Sequence, residues 1–269
     1  ADLMKVNRLT RTALLRHDRQ DCSKGEYNVI RRRLDRIVRK QILYYCKMNN
    51  VSENALFLAA FNYTLALFSN EDDVFVNSIH SGRTDGRFAG VAGCLFRTYL
   101  CRYQRVAHEK VNDLITKTGK QIMNTMKVRT SVSRMGDMFL QYQGDILSVP
   151  TPGDTPGERM RCIQLDSLPF HMQIMYDDDG FYTELRYWEN RFDGKLLEIV
   201  LTCYEEIVRA VMKESSVRRL KYHVPERVYP KHFRVKTYKL NEEAAAPLFT
   251  KLDHDRWGKV YILDESYRK

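Results

Sequence analysis

The sequence predicts an α/β fold (α+β layered), a mixed β-sheet covered by helices, followed by a C-terminal tail. Three observations predict it: stretches with the apolar period of a helix, short β-rich runs between them, and an Asp-Gly turn joining two such runs. An apolar share of 43 % with 13 glycines lies in the ordinary globular range and excludes a disordered or fibrous chain. A length of 269 residues allows one large domain or two ordinary ones.

Residues 1–25 are polar and lack a clear period. From Tyr27 to Met48, the residues Ile30, Leu34, Ile37, Val38, Gln41 and Tyr45 trace one helical face, which predicts a helix broken by Asn49-Asn50. Ser52 has the side chain of an N-cap for a second, more apolar helix through Phe68. Glu71-Asp72-Asp73 then reads as a polar turn into a strand, Val74 to Ile79. Ser81 to Gly93, with four glycines, reads as a loop, and residues 94–103 as the next strand. A helix is expected from His108 to Met126 and a strand from Phe139 to Tyr142. Residues 144–157, with three prolines and three glycines, read as a long connection of the kind that is either functional or mobile. Met172–Tyr176 and Phe181–Trp188 flank Asp177-Asp178-Asp179-Gly180, a hairpin signal in which Asp-Gly supplies the turn. Asp193-Gly194 precedes a helix from Lys195 to Met212 whose buried stripe is expected to be Leu196, Ile199, Val200, Cys203, Ile207 and Val211. The tail ends in a short strand-like run, Lys259–Leu263.

The net charge of +10 invites a nucleic-acid reading, but the charge is localised. Residues 1–50 carry +8 and residues 216–240 carry +7, whereas 51–215 carry −4 and 241–269 carry −1. Basic flanks around a slightly acidic body favour linkers or a domain interface over a nucleic-acid-binding fold. The longest uncharged apolar run, Ala55 to Phe61, is far short of the roughly 18 residues a membrane span needs, so no membrane partner is expected. No basic-then-apolar leader opens the sequence. Six cysteines, Cys22, Cys46, Cys94, Cys101, Cys162 and Cys203, form no C-x-x-C pair and read as reduced, mostly buried thiols of a cytoplasmic protein.

Familiar catalytic patterns are missing: no phosphate loop, no G-x-G-x-x-G, no G-x-S-x-G and no H-E-x-x-H. The seven histidines are spread out, and His223 with His232 is the closest pair, so no metal site is expected. The three aspartates 177–179 read as a solvated hairpin turn.

The informative stretch is 52–102. It reads S-x-x-A-L-F-L-A-A-F-N-Y-T-L-A-L-F, then E-D-D-V-F-V-N-S-I-H-S-G-R, then V-A-G-C-L-F-R-T-Y-L-C-R. This resembles the second half of condensation domains from nonribosomal peptide synthetases, in which an acidic turn and strand lead to a Gly-Arg and then to G-x-F-V-N-T-x-x-x-R. Gly82-Arg83 match the Gly-Arg. Gly93, Thr98 and Arg102 match the later motif, Leu95 and Phe96 stand for its Phe-Val, and Arg97 replaces its asparagine. Downstream, Leu185–Tyr187, Phe192-Asp193 and the helix to Met212 are similar to the family's terminal strand, Phe-Asp turn and last helix. The resemblance covers about residues 26–220.

The resemblance implies one chloramphenicol-acetyltransferase-like lobe of a two-lobe enzyme, with residues 1–25 as crossover or linker and 26–215 as the C-terminal lobe. Residues 216–269 would be a basic linker and short tail, or the start of a following domain, since Lys259 to Glu265 resembles a strand of adenylation domains. The implied reaction joins carrier-bound aminoacyl or peptidyl thioesters through an amide bond, in a channel between the lobes. The implied partners are the N-terminal lobe, peptidyl carrier proteins with their phosphopantetheine arms and an adjacent adenylation domain, and no cofactor is bound directly. The family's catalytic H-H-x-x-x-D-G belongs to the other lobe. His17 to Asp21 fits H-x-x-x-D, yet Arg16 stands for the first histidine, Cys22 for the glycine, and Ser52 follows too soon, so the match reads as coincidence and no catalytic residue is assigned. Arg83 is expected either to tie down its loop or to touch the channel or a pantetheine arm, and Arg97 places a charge at the motif's centre. Two other classes remain: a degenerate lobe that only docks carriers or partners, and nucleic-acid binding through the basic flanks.

Overall fold

The structure, a computed structural model, describes residues 25–69, 73–80, 91, 95–106, 108–127, 138–144, 168–177 and 179–223. These residues all lie in one compact unit, Ala1–Val228. Most of the glycine-rich loop, the proline-rich connection beyond Gly144 and the run Lys259–Leu263 expected as a strand fall outside them.

In chain order the elements are β1 (Tyr27–Asp35), α1 (Arg36–Asn49), α2 (Glu53–Ser69), β2 (Asp73–His80), β3 (Arg97–Gln104), α3 (Val111–Lys127), β4 (Met138–Gly144), β5 (Phe170–Asp177), β6 (Gly180–Trp188), α4 (Gly194–Ala210) and the short α5 (Val217–Leu220). The six strands form one mixed sheet in the order β1-β6-β5-β4-β2-β3. The central pairs β5–β4 and β4–β2 are parallel, and the remaining pairs are antiparallel. The expected layered α/β architecture is therefore present.

Alternation along the strands gives the sheet two different faces. Ile30 and Leu34 of β1, Val74 and Val76 of β2, Tyr99 and Cys101 of β3, Leu140 of β4, Met172 and Ile174 of β5, and Phe181 and Leu185 of β6 join one core with the helices. At its centre lies α2, apolar on every side and buried from Ala55 to Ala66, with α3 and α4 packed on it. A helix apolar all round needs cover all round, and α2 has it. The Phe61 ring stacks on Phe170 (centroids 5.9 Å) and meets Tyr204 edge-on (5.7 Å), tying α2 to β5 and α4.

Local chemistry sets the element ends. Ser52 Oγ accepts from the Ala55 N–H (3.2 Å), the expected N-cap of α2. Asp35 accepts from the N–H groups of Ile37 and Val38 to start α1, and Asn50, in the left-handed conformation, ends it. Gly180 opens β6 with φ +145°, where a Cβ would stand 2.0 Å from the Leu34 carbonyl oxygen. Only glycine lets the β5–β6 hairpin pass this close to β1.

Two sequence expectations are corrected. Tyr27–Asp35 is a strand, not the first turns of a helix, and the helix begins at Arg36. Ile30 and Leu34 are four apart, a spacing that falls on one face of a helix and equally on one face of a strand, so the apolar positions alone could not separate the two. The face of α1 is correspondingly displaced: Val38, Ile42 and Cys46 are buried, while Ile37 and Gln41 are exposed. In α4 the buried face also takes in Leu197, Leu201, Tyr204 and Val208, whereas Leu196 and Ile199 are half-buried. This helix packs against both α2 and the sheet, so its covered arc is wider than one stripe.

No single described helix is long and apolar enough to cross a membrane, and α1 with α2, which together pass that test, are bent by 104° at the break between them.

Candidate functional site

The structure describes Leu95, Phe96, Arg97, Thr98 and Arg102 of the motif, the last three on β3 at one edge of the sheet. Gly82, Arg83, Gly93 and His17 lie outside the described residues. The antiparallel register sets Arg97 opposite His80, Thr98 opposite Ile79 and Arg102 opposite Phe75. At about 3.3 Å per residue, Arg97 and Arg102 stand about 16 Å apart along the strand, so they cannot act on one small group together.

Arg102 is firmly held. Its Nε donates to Asp73 Oδ1 (2.8 Å) and its Nη2 to Asp73 Oδ2 (2.6 Å), a two-point grip on the first residue of β2. The guanidinium also lies over the Phe75 ring, 5.3 Å from its centroid. Its backbone is engaged by Gln121 of α3, whose Oε1 accepts from the Arg102 N–H (3.0 Å) and whose Nε2 donates to the Arg102 carbonyl (2.8 Å). One glutamine amide thus takes the place of a neighbouring strand at the sheet edge. These contacts give Arg102 the role of a strap.

The other end of β3 has a different character. His80 is buried, and burial, followed by the charge of Arg97, lowers its pKa below the ordinary imidazole value. Its ring lies 5.9 Å from that of Tyr99, whose phenol burial pushes up to about 12. The charge of Arg97 and the burial of the ring thus both disfavour the protonated form of His80.

A second constellation lies on the sheet face opposite the helices. Two rows of side chains cross it in register: Asn77, Phe139, His171 and Arg186 in one, and Gln141, Gln173, Glu184 and Arg31 in the next. His171 is 2 % exposed; its Nε2 lies 3.1 Å from Gln141 Oε1, and its ring meets Phe139 edge-on at 5.2 Å. Burial first, then the Arg186 charge, lower the His171 pKa to about 4 against the opposing pull of Glu184, so the ring is neutral near pH 7. Glu184 accepts from Arg31 Nε (2.9 Å) and Arg186 Nε (2.8 Å). Burial would raise its pKa, but the hydrogen bonds from Arg186 and Arg31 outweigh that and hold it low. This face is a built polar surface of amides, a neutral imidazole and a paired carboxylate. The sequence reading did not single it out. Its signal was His171 and Gln173 alternating with apolar residues in β5.

Neither constellation carries a nucleophile with its base. Burial pushes the thiols of Cys46, Cys101 and Cys203 up to about 12, which leaves them unreactive. Among the described residues there is no group of three or more His, Cys, Asp or Glu that could hold a metal ion.

Comparison with known proteins agrees with the fold. The sequence profile described as "Condensation domain" matches residues 6–131. None of the curated proteins matches in sequence. Among solved structures, the chain superposes on the condensation domain of the Monacolin K polyketide synthase with a TM-score of 0.61 at 14 % identity, covering 75 % of this chain and 51 % of that one. The cyclization-docking bidomain from Sorangium cellulosum gives 0.60 at 12 % identity over 79 % and 47 %. The X-domain from teicoplanin biosynthesis, in complex with OxyB, gives 0.59 at 12 % identity over 81 % and 54 %. A four-domain nonribosomal peptide synthetase matches with 0.59 at 12 % identity over 80 % of this chain but only 19 % of its own length. The chain thus spans about half of the one- and two-domain structures it resembles and a fifth of the four-domain synthetase.

Proposed function

We propose that this chain, which carries condensation-domain sequence over residues 6–131 and the condensation-domain fold, serves as the C-terminal lobe of a nonribosomal peptide synthetase condensation domain. The observation that carries the reading is the coincidence of that sequence match with superposition on about half of a condensation domain. In the reaction, an amine on one carrier attacks the thioester carbonyl on another. A C–N bond forms, the C–S bond breaks, and the amine proton passes through a base to the solvent or the departing thiolate. Holding two tethered reactants in line removes much of the entropic barrier. This chain supplies one wall of the channel and a surface for its partners, the N-terminal lobe and peptidyl carrier proteins. Arg83 is its candidate contact to the channel or a phosphopantetheine arm, and Arg97 places a charge at the centre of the motif. The histidine that acts as base or stabilises developing charge comes from the other lobe, as no His-His pair occurs in this sequence.

The test is reconstitution. The chain is mixed with an upstream lobe bearing H-H-x-x-x-D-G and with carriers loaded with aminoacyl thioesters, and the amide product is followed by mass spectrometry. The expected result is no product from the chain alone and product from the pair, abolished when the second histidine of the added lobe is changed to alanine. Turnover by the chain alone, lost on His17→Ala, overturns the reading.

A second reading has its own support. Arg97 occupies the asparagine position of the family motif, and the X-domain superposes as well as the condensation domains do. A lobe pair that binds loaded carriers yet forms no amide would identify the chain as a docking module.

A further inference from the structure

Among the described residues, the solvent side of α1 is an unpartnered apolar stripe on a purely cationic helix. Ile37, Tyr44 and Met48 are 69 %, 67 % and 64 % exposed, the most exposed large apolar side chains among the described residues. At 100° per residue they fall within an arc of about 40°, with Gln41 between them, along a helix about 21 Å long. Arg36, Lys40 and Lys47 are exposed along one flank of that stripe. The helix carries four cations and no anion. Its opposite side is fully used: Val38, Ile42 and Cys46 lie in the core, and Arg39 sits 4.3 Å over the Tyr176 ring. The helix is therefore rigidly mounted, and the stripe contributes nothing to the core of its own lobe.

We propose that this face of α1 docks an acidic amphipathic helix of a partner protein. The spacing Ile37, Tyr44, Met48 is the seven-and-four pattern that interdigitates with the apolar ridge of a second helix. The one-sided cationic flank sets the sign of the partner, because like charges along a shared helix pair repel and opposite charges steer association. A lipid surface fits less well: a helix whose other side is buried in a folded lobe can insert only three side chains. The docking face is separate from β3 and from the polar sheet face, so it stands whether or not the chain takes part in amide formation.

The test uses the full chain with ¹³C-methyl-labelled isoleucine and methionine and a probe of defined chemistry. The probe is a stapled synthetic helix of glutamates with leucines at i, i+4, i+7 and i+11; its counterpart has lysines for glutamates. Binding is read by fluorescence anisotropy, and the site by the methyl shifts of Ile37 and Met48. The acidic helix is expected to bind and to shift both methyls, and its affinity is expected to fall as salt is raised. It should bind roughly tenfold more weakly to Lys40→Glu/Lys47→Glu and to Ile37→Ser/Tyr44→Ser, variants that leave the buried side of α1 intact. Unchanged circular dichroism and thermal midpoint confirm that these variants fold. Equal binding of the basic helix, wild-type affinity in both variants, or binding of anionic phospholipid vesicles without binding of the acidic helix would each overturn the proposal. So would dimerisation of the free chain through this stripe, seen as a concentration-dependent mass that Ile37→Ser/Tyr44→Ser abolishes.

Discussion

Arg102 grips Asp73 through two parallel contacts, Nε to Oδ1 at 2.8 Å and Nη2 to Oδ2 at 2.6 Å, and so ties the edge strand β3 to the first residue of β2. The arginine side chain is 46 % exposed, so solvent screens much of the charge attraction, and the value of the pair lies in its geometry. Arg102→Ala is expected to lower stability by about 1 kcal/mol, and Arg102→Lys, which loses the fork, to recover no more than half of that. Denaturant midpoints at constant slope measure both. A double-mutant cycle with Asp73→Asn should give a coupling of about 0.5–1 kcal/mol, and no coupling would mean that the strap is ornamental.

Gln121 makes a different prediction because it satisfies backbone, not charge. Gln121→Ala leaves the Arg102 N–H and carbonyl without this amide at an open sheet edge. The expected cost is about 1 kcal/mol, with faster hydrogen exchange at the Arg102 amide and a greater tendency to self-associate through β3. Light scattering at fixed protein concentration reads the last effect, and Gln121→Glu, which keeps only the acceptor, should fall between the two.

His171 makes stability depend on pH. Its folded pKa of about 4 lies below the ordinary 6.5, so between these values the unfolded chain binds a proton that the folded chain refuses. Stability is therefore expected to rise with pH across that window and to fall as pH drops from about 6.5 toward 4. His171→Gln, which cannot titrate, should flatten that slope. Urea unfolding at several pH values in both proteins isolates this contribution from the carboxylates. A slope unchanged by the substitution would show that the ring is not held neutral by its burial.

Arg97 is testable without knowing the substrate. Its charge is the second cause, after burial, of the low pKa of His80. Arg97→Asn, which puts the residue of the condensation-domain motif at this position, should move the His80 pKa upward, read from its imidazole resonances during a pH titration. In the reconstituted lobe pair the same change should raise amide formation if the charge obstructs the channel, and leave it unaltered if Arg97 serves only the lobe's own structure.

Much of the architecture was legible because several signals coincided. Ser52 before an unbroken apolar run marked α2, and two β-rich runs around Asp-Gly marked the β5–β6 hairpin. Tyr27–Asp35 was misread because a spacing of four is shared by both periodicities and the arginines of β1 are tolerated in either. The strand carrying Thr98 and Arg102 was legible within residues 94–103, but what Arg102 holds was not; that required the Asp73 carboxylate and the Gln121 amide to be seen beside it. His171, Gln141 and Glu184 escaped notice because β4, β5 and β6 are buried on both faces, so the alternation that normally advertises a strand's polar side is muted. Their meeting depends on the register of three strands, which no local pattern carries.

The sheet order has a consequence for how the chain is made. Among the described strands the first lies beside the last: Tyr27 pairs with Trp188, and Asn28 reaches Glu189 across 161 positions of sequence. On the ribosome, β1 emerges long before its described neighbour β6 exists. Its arginines keep an orphan strand soluble during that interval, and the sheet closes at this edge only after nearly every other element has been synthesised. Among the described strands, β1 is thus the one whose pairing waits longest.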